Sequence, residues 1–126
     1  MLAACAVLSA CSGATAPGGS IVSGTYTLES VSGRGPAAGS LMLTRGGYVE
    51  RRVRYYEPSG GLSKEYIATG RFEMREDGSL DLQLKEMGVR SDFVWKPETR
   101  LVDGRVEIRH PDPADGPDVV EAYRRN

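Results

Sequence analysis

Polar chemistry in this 126-residue chain concentrates in two places. The first is Arg51-Arg52-Val53-Arg54, interleaved with Tyr48, Tyr55 and Tyr56. Basic and aromatic side chains together bind single-stranded nucleic acid when they line one groove. In a strand they are divided, because successive side chains point to opposite faces. Glu50, Arg52, Arg54 and Tyr56 fall on one face, Val49, Arg51, Val53 and Tyr55 on the other. The first face reads as solvated, with cross-strand pairing to Glu73 or a similar carboxylate. Arg51 shares the apolar face and needs a partner, since an unpaired buried charge is costly. Three solutions stay open: Glu121, provided Val119 and Tyr123 point inward; an anionic ligand head group; or a bulge that turns Arg51 outward. The formal net charge is −1, so bulk electrostatics do not favour nucleic acid and no such partner is expected.

The second place is His110, flanked by Pro111, Asp112 and Asp115. A histidine beside carboxylates serves as a general base or weak metal ligand. At a strand end before a proline-rich loop, it reads instead as a solvated side chain. Asp112, Asp115 and Asp118 with Gly116 lack the regular spacing and terminal bidentate Glu of a calcium loop, and prolines interrupt them. Both cysteines, Cys5 and Cys11, lie at the start of the chain. The rest therefore holds neither a Cys/His zinc set nor a cysteine nucleophile. No G-x-S-x-G elbow is present, and the glycine turns at Gly33 and Gly46 lack the following helix that cradles a phosphate. These residues lead to the expectation of a non-enzymatic protein with no catalytic residues, no metal and no cofactor.

The elements that carry these residues are short strands set between turn signals. Thr25–Val31, Ser40–Thr44, Tyr48–Glu57, Tyr66–Met74, Leu80–Lys85, Arg90–Lys96, Thr99–Val102, Arg105–His110 and Val119–Arg124 each show β-type composition or alternation. Asp103-Gly104 is a strong hairpin signal, because type I′ turns need positive φ at both central residues. The sequence predicts an all-β domain: an antiparallel up-and-down meander of about eight strands. Such a meander hides its edges best by closing into a small barrel, with a two-sheet sandwich as the alternative. The apolar face set, with Ala68 and Gly70 leaving room beside it, either lines a pocket or fills the core.

Ahead of this domain, Leu8-Ser9-Ala10-Cys11 resembles the lipobox of bacterial lipoproteins, in which the cysteine is lipidated. The preceding apolar run is too short, at about 14 Å as a helix, to cross a bilayer core of roughly 30 Å. Cys5 fits the same pattern loosely but would leave almost no hydrophobic region before it. The first basic residue is Arg34, which points to a translation start upstream. The resemblance implies a signal peptide over residues 1–10 and a lipidated Cys11 with a flexible linker over residues 11–23. Residues 24–126 form the domain. Ser12 after the cysteine implies the outer membrane facing the periplasm, with the membrane as partner through the lipid.

Gly24-Thr25-Tyr26, the Thr69-Gly70-Arg71-Phe72 strand followed by Asp77-Gly78-Ser79-Leu80, and the terminal Ala122-Tyr123-Arg124-Arg125 are similar to small bacterial lipocalin-like lipoproteins. True lipocalins open on Gly-x-Trp, where this chain has Tyr26. The likeness implies a monomeric barrel that binds a small apolar or amphipathic ligand. From the inward face, Arg51, Tyr55, Phe72, Phe93 and Trp95 are the residues expected to contact it. The alternative is a filled barrel that meets another envelope protein through loops Pro58–Lys64 and Pro111–Asp118.

Overall fold

A computed structural model of the chain describes residues 22–33, 35–88, 94–112 and 116–126. Eight strands follow in order: β1 (Gly24–Val31), β2 (Ala37–Leu43), β3 (Tyr48–Tyr56), β4 (Leu62–Met74), β5 (Leu80–Glu86), β6 (Glu98–Val102), β7 (Arg105–His110) and β8 (Val119–Arg125). Each pairs antiparallel with the next, and β1 pairs with β8 to close a barrel. The meander and its closure are as the alternation implies, and the sandwich falls away. The segment expected as a strand at Arg90–Lys96 does not form one in its described part. Trp95 makes only an isolated bridge to Leu84, and Pro97, which has no N–H, follows two residues later. In contrast, β4 starts four residues early, at Leu62, because the β3–β4 hairpin keeps pairing up to Tyr56 opposite Leu62.

The two ends of the barrel differ. One is closed by tight turns at residues 44–47, 75–79 and 103–104. Asp103 and Gly104 both have positive φ, 51° and 78°, as the hairpin signal requires. Val22 is tucked in at this turn end, its carbonyl accepting the Tyr26 hydroxyl at 2.7 Å. The longer connections start and finish at the other end, with residues 32–33, 35–36, 57–61, 87–88, 94–97, 111–112 and 116–118 described there; it is the open end in the sense that no tight hairpin turn closes it.

Alternation places every second residue inside. Leu80, Leu82 and Leu84 from β5 and Val106 and Ile108 from β7 belong to one buried cluster with Leu41, Val49, Val53 and Tyr123. Leu41, Val49, Val53, Ala68, Leu82, Leu84, Val106 and Ile108 have no surface a water molecule can touch, from outside or from a void within. The body of the barrel is therefore filled by side chains, as an eight-stranded barrel permits. Burying each Leu or Ile contributes about 1.5–3 kcal/mol. The outer face carries cross-strand ion pairs such as Arg75–Asp81 at 3.4 Å and Arg105–Glu29 at 2.7 Å. Exposed pairs of this kind contribute about 0–1 kcal/mol each, so the interior dominates.

Gly70 leaves no room beside it. A Cβ there would stand 1.7 Å from the Gln83 carbonyl oxygen on β5, and one at Gly39 would stand 2.3 Å from that of Arg52 on β3. At these two inward positions neighbouring backbones curl over the strand, which is how glycines bend a sheet toward closure. Gly70→Ala is expected to cost about 3 kcal/mol through overpacking against fixed backbone, read by urea denaturation. Gly61, with open space around its Cβ position, supplies the control: Gly61→Ala should stay within about 0.5 kcal/mol.

Candidate functional site

The pleat splits the basic cluster. Arg52 and Arg54 point outward to Glu65, at 3.4 and 2.8 Å. Glu65 sits directly opposite Arg54 on β4, in the role for which Glu73 or a similar residue was expected. Arg51 points inward between Val49 and Val53 and is buried. It lies beside Leu41 of β2 and Ala68 of β4. On β8, Val119, Glu121 and Tyr123 all face inward and are buried, so the condition for pairing Arg51 with Glu121 is met.

The pair spans the interior, since β3 and β8 are separated by β1 and β2 in the wall. Arg51 Nε donates to Glu121 Oε1 at 2.8 Å, and Nη2 donates to Oε2. The Tyr123 hydroxyl adds a bond to Oε1 at 2.7 Å, and His110 Nε2 lies 2.8 Å from Oε2. Both oxygens thus have two partners each, the full capacity of a carboxylate. Burial pushes the Glu121 carboxyl up, but bonds from Arg51, His110 and Tyr123 outweigh it and bring it down to about 2. Burial would lower the Arg51 guanidinium, but Glu121 overcomes that and holds it protonated. Burial foremost, then Glu121, pushes the Tyr123 phenol well up.

His110 is not solvated, contrary to the expectation for a strand end. It continues the inward row of Val106 and Ile108, and its side chain is only 16% exposed. The hydrogen bond to Glu121 raises it above its ordinary value, against the opposing effect of burial. Its Nδ1 lies 3.1 Å from the Pro111 carbonyl oxygen. Glu86 likewise continues the inward row of Leu82 and Leu84. Its carboxylate stands 3.7 Å from Arg51 Nη1, and burial pushes it up despite that guanidinium. Trp95 covers the group: its ring centroid is 5.4 Å from the Arg51 guanidinium and 5.8 Å, edge to face, from the His110 ring. The buried indole Nε1 has no hydrogen-bond partner among the described residues.

Of the expected ligand residues, the structure therefore brings Arg51 and Trp95 together. Tyr55 lies on the same inward face of β3, nearer the open end, packed edge to face on Tyr66 at 5.9 Å. Lys64 Nζ stands over the Tyr66 ring, 5.8 Å from its centroid. Phe72 sits elsewhere, in the packed core four residues along β4 from Ala68, with its N–H on Gly47 near the turn end. Cys11 and Phe93 lie outside the described residues, as does Asp115 of the Asp112–Asp118 run. Among the described residues no three His, Cys, Asp or Glu side chains are placed to share a metal ion. The same residues include no helix long and apolar enough to cross a membrane. No protein-family model matches this chain, and no characterised protein matches it in sequence.

Breaking a buried ion pair by removing one partner costs about 3–5 kcal/mol, whereas replacing both with apolar side chains is close to neutral. Arg51→Met or Glu121→Leu alone should therefore lose about 3–5 kcal/mol in denaturant unfolding. The double variant should recover most of that loss. The pH dependence has two limbs. Glu121 is depressed from 4.5 to about 2, so its contribution is present above 4.5 and lost as pH falls toward 2. His110 is raised above 6.5, so its contribution is complete below 6.5 and lost as pH rises through its folded value. Unfolding midpoints measured across pH should peak between these limits, and His110→Gln should flatten the alkaline limb alone.

Proposed function

We propose that this barrel is a non-enzymatic binding module, held to the cell envelope by lipid on Cys11, that takes a small amphipathic ligand at its open end. The observation that carries the reading is the change along the inward rows. They are apolar and closed to water through the body. They turn polar and half exposed where Glu86, His110, Trp95, Tyr55 and Tyr66 approach the open end. An amphipathic molecule matches that gradient: aromatic faces suit its hydrocarbon, and the carboxylate and indole N–H suit its polar head. The packed body favours a shallow seat over a deep calyx.

The non-enzymatic part rests on saturation. Glu121 accepts four bonds, and both His110 nitrogens are engaged. A general base must reach a substrate proton with a free lone pair, and while His110 is protonated this pair offers none. Geometry also favours the tether. Gly24 lies at the turn end beside Leu43, so a linker arriving there leaves the open end facing away from the lipid.

A second reading places a partner envelope protein on the same end, favoured by the filled interior and by exposed apolar side chains there. Leu62, Met87 and Val94 are 58%, 61% and 41% exposed, all at or beside open-end connections.

Trp95 is the only tryptophan, so its fluorescence reports on the site directly. Cys11→Ser should move the protein from the membrane to the soluble fraction and supply the form for titration. Single-chain amphiphiles should then shift Trp95 emission, and Tyr55→Ala or Tyr66→Ala should weaken them about tenfold. Leu62→Ser and Met87→Ser should leave those titrations unchanged. No response to amphiphiles, with a protein partner retained in native mass spectrometry and lost on Met87→Ser, would favour the second reading.

A further inference from the structure

We infer that His110 is a proton-operated clamp. As imidazolium it ties Pro111, where the β7–β8 connection leaves the barrel, to the buried Arg51–Glu121 pair; as neutral imidazole it lets Pro111 go. The argument is one of donors and acceptors. Nδ1 faces the Pro111 carbonyl oxygen at 3.1 Å, and Nε2 faces Glu121 Oε2 at 2.8 Å. Both partners are acceptors, since Glu121 is ionised and a carbonyl has no proton to give. Only a ring with both nitrogens protonated satisfies them together. A neutral ring keeps one N–H and must turn a bare lone pair toward one oxygen.

Which bond survives follows from burial. The Glu121 carboxylate is wholly buried, so water cannot replace a lost donor. Pro111 is exposed, so water can take over its carbonyl. The Nδ1 proton therefore leaves, and the link to Pro111 goes with it. The charged and titratable groups around the ring come from three strands: Glu121 and Tyr123 from β8, Arg51 from β3 and Glu86 from β5. Asp112 follows two residues along the connection itself. With the clamp closed, Arg51 and His110 balance Glu121 and Glu86. Opening it leaves one negative charge in excess at the open end.

The consequence for affinity rests on the ligand reading above: an anionic amphiphile is held more tightly while His110 is protonated. The clamp itself does not depend on that reading. The test uses the Cys11→Ser chain labelled with ¹⁵N and ¹³C, titrated from about pH 5 to about pH 9. The expected result is one transition from a doubly protonated ring to the Nε2–H tautomer. The Pro111 carbonyl ¹³C resonance moves with the same midpoint. Trp95 fluorescence should rise on that curve, because the imidazolium packed against the indole, 5.8 Å between ring centroids, is a quencher. A flat Pro111 resonance, or a neutral ring that keeps its proton on Nδ1, overturns the clamp. His110→Gln should abolish the pH profile of Trp95 emission; a wild-type profile in that variant also overturns it. Binding of the anionic probe anilinonaphthalene sulfonate should weaken about threefold across the transition, the size of a screened single-charge contact. If the resonances behave as expected and the probe binds at no pH, the clamp stands and the ligand site falls.

Discussion

A guanidinium and a carboxylate meet inside this barrel, from strands on different walls, and the rest of the architecture is arranged around their needs. Taking two charges out of water costs several kcal/mol per ion after relaxation. The pair is tolerable only if every oxygen and most N–H groups find partners. That requirement places Tyr123 two residues along from Glu121, His110 at the end of the adjacent strand and Trp95 over the guanidinium. It also fixes register. A one-residue slip of β8 against β7 would send Glu121 to the solvent side and Val120 and Ala122 inward, leaving Arg51 without its counter-ion. The pair thus acts as a specificity device as much as a source of stability.

The interior is layered along its axis as a result. Near the turn end it is aliphatic and aromatic, sealed by hairpin turns and by Val22. Toward the open end the same inward rows pass from Leu84 to Glu86, from Ile108 to His110 and from Tyr123 to Glu121. Glycines do the complementary work in the wall. At Gly39 and Gly70 the adjacent backbone occupies the space a side chain would need, which lets a sheet of eight short strands curl enough to close. The wall is thinnest between β5 and β6, where only Leu80–Thr99 and Asp81–Glu98 pair before the bridge at Trp95. The large indole stands where the ladder gives out.

Much of this is legible in the residues alone. Alternation and turn chemistry are local, so the strands, the Asp103–Gly104 hairpin and the inward direction of Arg51 can be read from sequence. Glu121 follows conditionally, because the direction of the last strand depends on which of two alternating sets is apolar enough to go inside. His110 and Glu86 are harder for a specific reason. Each ends a strand, where composition suggests solvent, yet each falls on the inward count from Ile108 and Leu84. Carrying the period of two one step further would have placed both. The tight approach at Gly70 was not readable: a small residue on an inward face looks like spare space, and only the neighbouring strand's path shows that backbone fills it. Nor does sequence reveal which strands face each other across the interior, because that depends on closure and stagger.

Closure itself carries a kinetic consequence. Seven of the eight strand pairings join neighbours in sequence through connections of a few to about a dozen residues, and such contacts assemble early and cheaply. The eighth, β1 with β8, brings Tyr26 to Arg125 and Val31 to Glu121, residues separated by nearly the whole domain. Closing so long a loop adds entropy cost that grows with the logarithm of its length, and non-local pairings of this kind slow folding. The Arg51–Glu121 bond reaches across that seam, with β1 and β2 lying between its two strands. Until the seam shuts, an open curled sheet holds Arg51 and Glu121 apart, each still able to keep its water. Their desolvation belongs to the final step of folding, so the charge network serves as the lock turned last.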